Sequence, residues 1–316
     1  MPSIGWAPQK TLRALGYRRV RHAAITWTVQ EQGVAFLQSM ADWSSEVLWN
    51  AGWPYLSKAS HRVYLATGPT GIRYVVKDYT LSKPRRSFLI ATQSRARVEF
   101  YRTLQAHTKN FPTVLPLAYG EREEQHGWSI IVYPFLDSAV SLDWLYTPNR
   151  PPIITARQRQ HIEKTVGKLV RTFIDSPVRR FDGHLDHFLV SCEGEWSPRV
   201  WYVDFEKMRF TRCFLAWVRH RKRVRTLGKL LARLQWLNNS GSHVNRASMM
   251  RISQAYFHEH APLARQKKLC QAVLRAAQAY WIQRRFQTRG SYVFQIFQLH
   301  DESGHNSPIS PQDRPL

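Results

Sequence analysis

Two short apolar runs, each with a carboxylate at its edge, constrain this chain more than any other feature. Residues 178–208 read V-R-R-F-D-G-H-L-D-H-F-L-V-S, a polar interval, then R-V-W-Y-V-D-F-E-K-M. Asp182 and His187 lead into Phe188, Leu189 and Val190, and Val200 to Val203 lead into Asp204. Apolar runs bounded by Ser, Glu, Gly and Pro predict two short strands joined by a turn. Such a pair aims both acids at one place. A solvated hairpin with scattered acids has the same local pattern, so the rest of the chain has to decide between them.

Composition bounds the answer. A chain of 316 residues, 43% hydrophobic and 13% aromatic, folds as one large domain or two lobes. Lys and Arg number 46 against 22 Asp and Glu, a net charge of +24. That excess favours an anionic partner: nucleic acid, a phosphorylated glycan, a nucleotide or an acidic membrane surface. Cys192, Cys213 and Cys270 are widely spaced and form no CxxC, which fits a reducing cytoplasm rather than a zinc ribbon or disulfide scaffold. Residues 1–24 lack the apolar core of a signal peptide, and no run of about 18 apolar residues is present to span a membrane.

Residues 1–55 are expected to form an N-terminal extension, with one amphipathic helix over 34–48 and Trp and Arg residues suited to packing or to an interface. Residues 62–66 and 72–78 predict two strands around the turn Thr67-Gly68-Pro69-Thr70-Gly71. Lys77 lies inside the second run, where its ammonium must reach water, as on an edge strand, or an acid. A helix follows over 87–107 with Glu99 in its middle, then strands over 113–119 and 128–135. The apolar face of 155–175 predicts a long helix that ends at Ser176-Pro177 and delivers the chain to the two acids. Helices are expected over 226–237, 248–257 and 262–286, and 300–316 is polar enough to be disordered. The division is therefore 1–55 extension, 56–137 β-rich lobe, 138–292 helical lobe and 293–316 tail.

Strand lysine, helix glutamate, crossover, long helix, Asp loop, strand, second Asp: this is the order of a protein-kinase-like fold. In detail the chain resembles the bacterial lipopolysaccharide core kinases, the Kdo and heptose kinase family with its InaA-type relatives. D-G-H-L-D-H-F-L-V resembles the family's catalytic loop, with Asp182 as its Asp and His187 five residues on at the second-metal position. V-W-Y-V-D-F-E-K resembles the metal-binding segment and assigns Asp204. Y-V-V-K-D-Y resembles the phosphate-binding strand and assigns Lys77. S-R-A-R-V-E-F-Y-R-T-L resembles the ion-pair helix and assigns Glu99. The resemblance covers roughly residues 62–237.

It implies an α+β, bilobal protein-kinase-like fold with a small β-rich N-lobe and a helical C-lobe. It also implies ATP-dependent phosphorylation of a sugar hydroxyl of the lipopolysaccharide inner core, with Mg²⁺, in the cytoplasm and with peripheral contact at the inner membrane left open. Asp182 would act as base, Lys77 and Glu99 on the ATP phosphates, and Asp204 with His187 at the metal. Arg180, Lys207 and Arg209 would meet phosphates on the glycan or pair with nearby acids. The chain departs from protein kinases at Arg180-Phe181-Asp182, at Glu206 in place of a Gly, at His187 in place of an Asn, and at K-A-S-H-R-V-Y-L (58–65) in place of a Gly-rich loop. A loop register that starts at Asp186 would put Ser191 at the metal position, beyond the apolar strand, so Asp182 is preferred. Another small-molecule or protein kinase, and a non-catalytic pseudokinase binding an anionic partner, are the alternatives. A nucleic-acid binder is not expected, because the aromatics lie in apolar runs and do not interleave with the basic cluster.

Overall fold

The computed structural model describes residues 9–51, 53, 55–58, 61–79, 94–122, 128–146, 154–176, 178–180, 184–191, 198–206, 208–210, 216–239, 246–256 and 263–282. Two units divide the chain, with the boundary between Asp137 and Ser138.

Alternating apolar residues build the first unit around one sheet. Its elements in order are α1 (Gln9–Ala14), β1 (Tyr17–His22), β2 (Ile25–Gln30), α2 (Glu31–Gln38), α3 (Ser45–Asn50), β3 (Tyr55–Lys58), β4 (His61–Thr67), β5 (Arg73–Asp78), α4 (Arg95–His107), β6 (Ala118–Glu121) and β7 (Ser129–Pro134). The sheet has seven strands in the order β1-β2-β6-β7-β5-β4-β3, and all its pairings are antiparallel. Residues opposite one another share a face. Val76 opposite Val132 therefore marks one face, and Lys77 opposite Ile131 marks the other.

The face of Val76 is dry. Tyr64, Ala66, Tyr74, Val76, Val132, Trp27 and Val29 pack there against Phe36, Leu37, Trp43 and Leu48. Trp43 meets both Trp27 and Phe36 edge-on, contacts that add about 0.5–1.5 kcal/mol each beyond the area they bury. Gly120, opposite Trp27, leaves room for that indole, since a Cβ there would lie 2.7 Å from its ring. Residues 9–51 thus supply two strands and a cover for this sheet. The single helix expected over 34–48 is instead two short helices, because residues 39–44 leave the helix and Ser44 caps α3 by accepting the Val47 N–H. The strand expected over 113–119 begins at Ala118, after Pro116, which has no N–H to give a ladder. Of the helix expected over 87–107, residues 87–93 lie outside the described residues.

The second unit is mostly helical. It comprises β8 (Ala139–Ser141), α5 (Leu142–Leu145), α6 (Ala156–Asp175), β9 (Val178–Arg180), β10 (Phe188–Ser191), β11 (Arg199–Tyr202), β12 (Arg209–Phe210), α7 (Ala216–Asn239), α8 (Arg246–Tyr256) and α9 (Leu263–Ile282). A capping box of Thr155 and Gln158 starts α6, and Ile162, Val166, Val170 and Phe173 form its buried stripe. Lys222 of α7 closes the other end. Its ammonium donates to the carbonyls of Phe173 and Ile174 at 3.0 Å and of Ser176 at 3.3 Å, the charge that a helix C-terminus favours. Helix α7 starts ten residues before the predicted 226, so the basic run 219–225 is helical. The tail 293–316 lies outside the described residues.

Gly167 on α6 sets the approach of α8. A Cβ at this position would lie 2.4 Å from the Ile252 carbonyl oxygen and 2.8 Å from the Ala255 Cβ. Ala would gain about 1 kcal/mol of helix propensity, but overpacking against backbone costs roughly 1–3 kcal/mol or more. Gly167→Ala is therefore expected to lower the melting temperature, by on the order of 5 °C, in a thermal melt followed by circular dichroism.

Candidate active site

In the first unit the site grows from one buried charge. Lys77 is the fifth residue of β5, between β4 and β7, and is 3% exposed. An ammonium so placed needs an acid. Glu99 supplies it from α4, itself 0% exposed, with Lys77 Nζ 2.7 Å from Glu99 Oε1. The Tyr133 hydroxyl donates to the same oxygen at 2.8 Å, and the Tyr79 hydroxyl donates to Oε2. The Thr103 hydroxyl, one turn on, donates to the Glu99 carbonyl at 2.9 Å. The carboxylate thus receives one ammonium and two phenols and is held in a single orientation. Burial, reinforced by the Glu99 charge, pushes the Tyr133 hydroxyl well above its ordinary range.

Neither tyrosine is among the residues predicted from sequence. Tyr79 stands two residues after Lys77, on the same side of an extended chain, so strand period alone could have suggested it. Tyr133 is opposite Val75, diagonal to Lys77, and needs the β5–β7 register to be found.

In the second unit a short ladder gathers the polar groups. Phe188 pairs with Tyr202, and one step further the Val203 N–H donates to the His187 carbonyl at 2.9 Å. His187 ends a 3-10 turn, Leu185–His187, just before β10, while Asp204 follows β11. Antiparallel pairing therefore brings them to one end. His187 Nε2 lies 3.5 Å from Asp204 Oδ2 and 3.8 Å from Asp186 Oδ1, and its Nδ1 is 3.3 Å from the Tyr202 hydroxyl. Asp204 adopts φ +67°, a left-handed conformation that Asp tolerates better than most residues but that still carries strain. Phe205, buried against Tyr202 and Phe173, anchors the turn that holds it.

Asp143 is a third residue that sequence pattern missed. Arg233 binds it with both Nε and Nη2, at 2.8 to 3.1 Å. Burial raises the Asp143 carboxyl above its usual range and Arg233 opposes this, while the charge of Asp186 adds to the rise. The pair joins α5 to α7 beside the 3-10 turn. It spans ninety residues, so no local spacing signals it.

Asp182 and Lys207 lie outside the described residues. The backbones of Arg180 and Arg209 pair between β9 and β12, and their side chains lie outside the described residues. Among the described residues no group of three or more His, Cys, Asp and Glu is arranged to hold a metal ion, and no helix is long and apolar enough to cross a membrane.

The model of the lipopolysaccharide kinase (Kdo/WaaP) family matches residues 75–256, more than half of the chain. The chain belongs to this family. It is therefore a kinase by membership, and the resemblance read from its motifs is the one found. The structure of WaaP in complex with acyl carrier protein is 19% identical, with 74% of this chain and 92% of that one covered and a TM-score of 0.50. That likeness is one of fold: a protein-kinase-like arrangement with a β-sheet-rich N-terminal part and a helical C-terminal part. The Rio2 kinase–ADP/Mg²⁺–phosphoaspartate complex from Chaetomium thermophilum is 12% identical over 93% of this chain and 84% of that one, with a TM-score of 0.37. The pseudokinase DRIK1 (drought responsive inactive kinase 1) bound to ENMD-2076 is 14% identical over 88% and 95%, with a TM-score of 0.39. None of the curated proteins compared matches the chain.

The buried tyrosines of this lipopolysaccharide kinase make its stability depend on alkaline pH. Tyr133 and Tyr146, the latter buried and bound to Glu163, stay protonated in the folded chain far above the value of about 10 expected when unfolded. Above that pH the folded state binds more protons than the unfolded one. Stability then falls by about 1.4 kcal/mol per pH unit for each such tyrosine. Urea midpoints at pH 8 and at a series above 10 measure the slope. Tyr133→Phe is expected to cost roughly 1.5–3 kcal/mol at pH 8, through the lost bond to Glu99, and to reduce the alkaline slope by one tyrosine's share.

Proposed function

We propose that the chain transfers a phosphoryl group from ATP to a sugar hydroxyl of the lipopolysaccharide inner core, acting on the cytoplasmic side of the inner membrane. The observation that carries this reading is the buried Lys77–Glu99 pair at 2.7 Å. Well-packed apolar residues of the same volume would stabilise the core at least as well, so the pair is best accounted for by what its ammonium binds. A lysine pinned by a helix glutamate is the group that meets the α- and β-phosphates in kinase chemistry. Here Glu99 fixes the direction of Lys77, and Tyr79 and Tyr133 fix Glu99.

The donor set of the second unit fits Mg²⁺. This ion prefers oxygen and is commonly held by one or two carboxylates together with substrate phosphates and water. Asp204 would be its protein ligand. His187, a nitrogen donor 3.5 Å from the Asp204 carboxylate, is better suited to orient that carboxylate or a water than to bind the ion. Bound Mg²⁺ supplies charge neutralisation on the phosphate oxygens.

In this reading Asp182 accepts the proton of the sugar hydroxyl as that oxygen bonds to the γ-phosphorus and the bond to the ADP oxygen breaks. Arg180, Lys207 and Arg209 bind phosphates already on the glycan. The rate then comes from positioning and charge stabilisation more than from covalent chemistry.

The test is transfer of labelled phosphate from ATP to purified lipopolysaccharide core. Asp182→Ala and Asp204→Ala are each expected to lower turnover by about 10²–10⁴-fold, and Lys77→Met to abolish detectable transfer. Activity that survives Asp182→Ala but is lost with Asp186→Ala would move the base to Asp186. Nucleotide binding without transfer to any lipopolysaccharide acceptor would overturn the reading in favour of a binding protein.

A further inference from the structure

The positive charge of this chain is concentrated in one stretch. Residues 208–300 contain eighteen Lys and Arg and a single carboxylate, Glu259. Helices α7, α8 and α9 contain no Asp or Glu, so none of their basic residues is offset by an i,i+4 acid.

Several of these residues are committed to partners within the unit. Lys222 closes α6, Arg223 pairs with Asp175, Arg233 with Asp143 and Arg251 with Glu163. The outer side of α9 is different. This helix packs closely on α7 where Gly228 meets Ala276 and Ala277. On the opposite side Lys267, Gln271, Leu274 and Gln278 follow one another at spacings of four, three and four, which makes a single stripe. Lys268 and Arg275 flank it, and all six are exposed. Leu274 is 57% exposed, and Met250 of α8 is 54% exposed.

We infer that the outer stripe of α9 docks on an anionic lipid bilayer, with Lys267, Lys268 and Arg275 at the headgroup phosphates and Leu274 entering the headgroup boundary. Charge complementarity supplies the attraction, at roughly a fivefold gain in binding per basic residue near the surface. The exposed leucine between the cations decides the kind of anion. The interfacial zone of a bilayer accepts apolar side chains flanked by Lys and Arg. A nucleic-acid backbone has no place for one, and the stripe offers no aromatic ring on which a base could stack. This inference does not depend on the phosphoryl-transfer reading, because it requires neither nucleotide nor acceptor.

Flotation of the full chain with vesicles, without ATP, tests it. Phosphatidylcholine vesicles are compared with vesicles that also contain phosphatidylglycerol. Binding is expected only to the second kind, and to weaken as salt rises. Lys267→Gln/Lys268→Gln/Arg275→Gln should weaken it on the order of a hundredfold, with an unchanged thermal melt. Arg157→Gln/Lys164→Gln/Lys168→Gln removes the same charge from the exposed side of α6 and should leave binding within about twofold. Leu274→Ser should weaken binding several-fold at every salt concentration. Equal binding to both vesicle types, or equal loss in the two triple variants, would overturn the inference. So would capture of soluble acidic protein by the same stripe with no vesicle binding.

Discussion

An ammonium and a carboxylate 2.7 Å apart with almost no access to water impose conditions on everything around them. Each charge loses its hydration on burial, and attraction alone does not offset that loss unless the remaining hydrogen-bonding capacity is filled. Tyr79 and Tyr133 fill it on the Glu99 carboxylate. The pair also requires β5 to be interior to its sheet and α4 to lie over the face of Lys77. A sheet with one face committed to a polar cluster and a helix must bury its other face in another way. Residues 9–51 meet that need with β1, β2, α2 and α3, and with the Trp27, Trp43 and Phe36 cluster. What reads as an extension in sequence is a wall of the core that holds the lysine strand.

The second unit solves a different problem, that of presenting acids without burying them deeply. Lys222 fixes the end of α6, where the chain leaves the helix for β9. The β10–β11 register then decides which residues meet. A shift of one residue would send the side chains of one strand to the opposite face. Phe188 opposite Tyr202 leaves His187 and Asp204 side by side at the end of the ladder. The left-handed backbone at Asp204 carries strain, and the buried Phe205 next to it supplies apolar contacts that maintain it. His187, Tyr202 and Asp204 form a linked set in which each side chain orients the next.

The parts legible in the sequence were those with local signatures. Lys77 in an apolar strand, Glu99 inside a helix and the apolar face of α6 all follow from period and polarity over a few residues. The β1–β2 hairpin did not show, because its two-residue turn is Ala23-Ala24, both at positive φ, without the Asn-Gly or Gly that usually marks such turns. The first ten residues of α7 were hidden because the apolar stripe of Leu227, Leu230 and Leu234 starts later. That early part is held by Lys222 and Arg223 acting on α6, and a partner on another helix leaves no periodic trace. The contacts of Tyr133 and of Asp143 depend on strand register and on a pairing ninety residues long. No window along the chain contains them.

The same distinction changes what a net charge of +24 means. Composition treats every Lys and Arg as a contribution to one field, yet the basic residues of the acid-free helices have two distinct fates. Lys222, Arg223, Arg233 and Arg251 have their charge used by helix carbonyls or carboxylates, where it serves to position α6 and the site. Lys267, Lys268 and Arg275 face water on a helix that offers no acid of its own. Only charge of the second kind is available to an external anion, and it is screened by salt over about 10 Å. Binding is therefore set by how such charges cluster, and by the apolar residue among them, more than by the total. A chain with the same composition but acids interleaved along α9 would have nearly the same core and site, and a much weaker hold on an anionic surface.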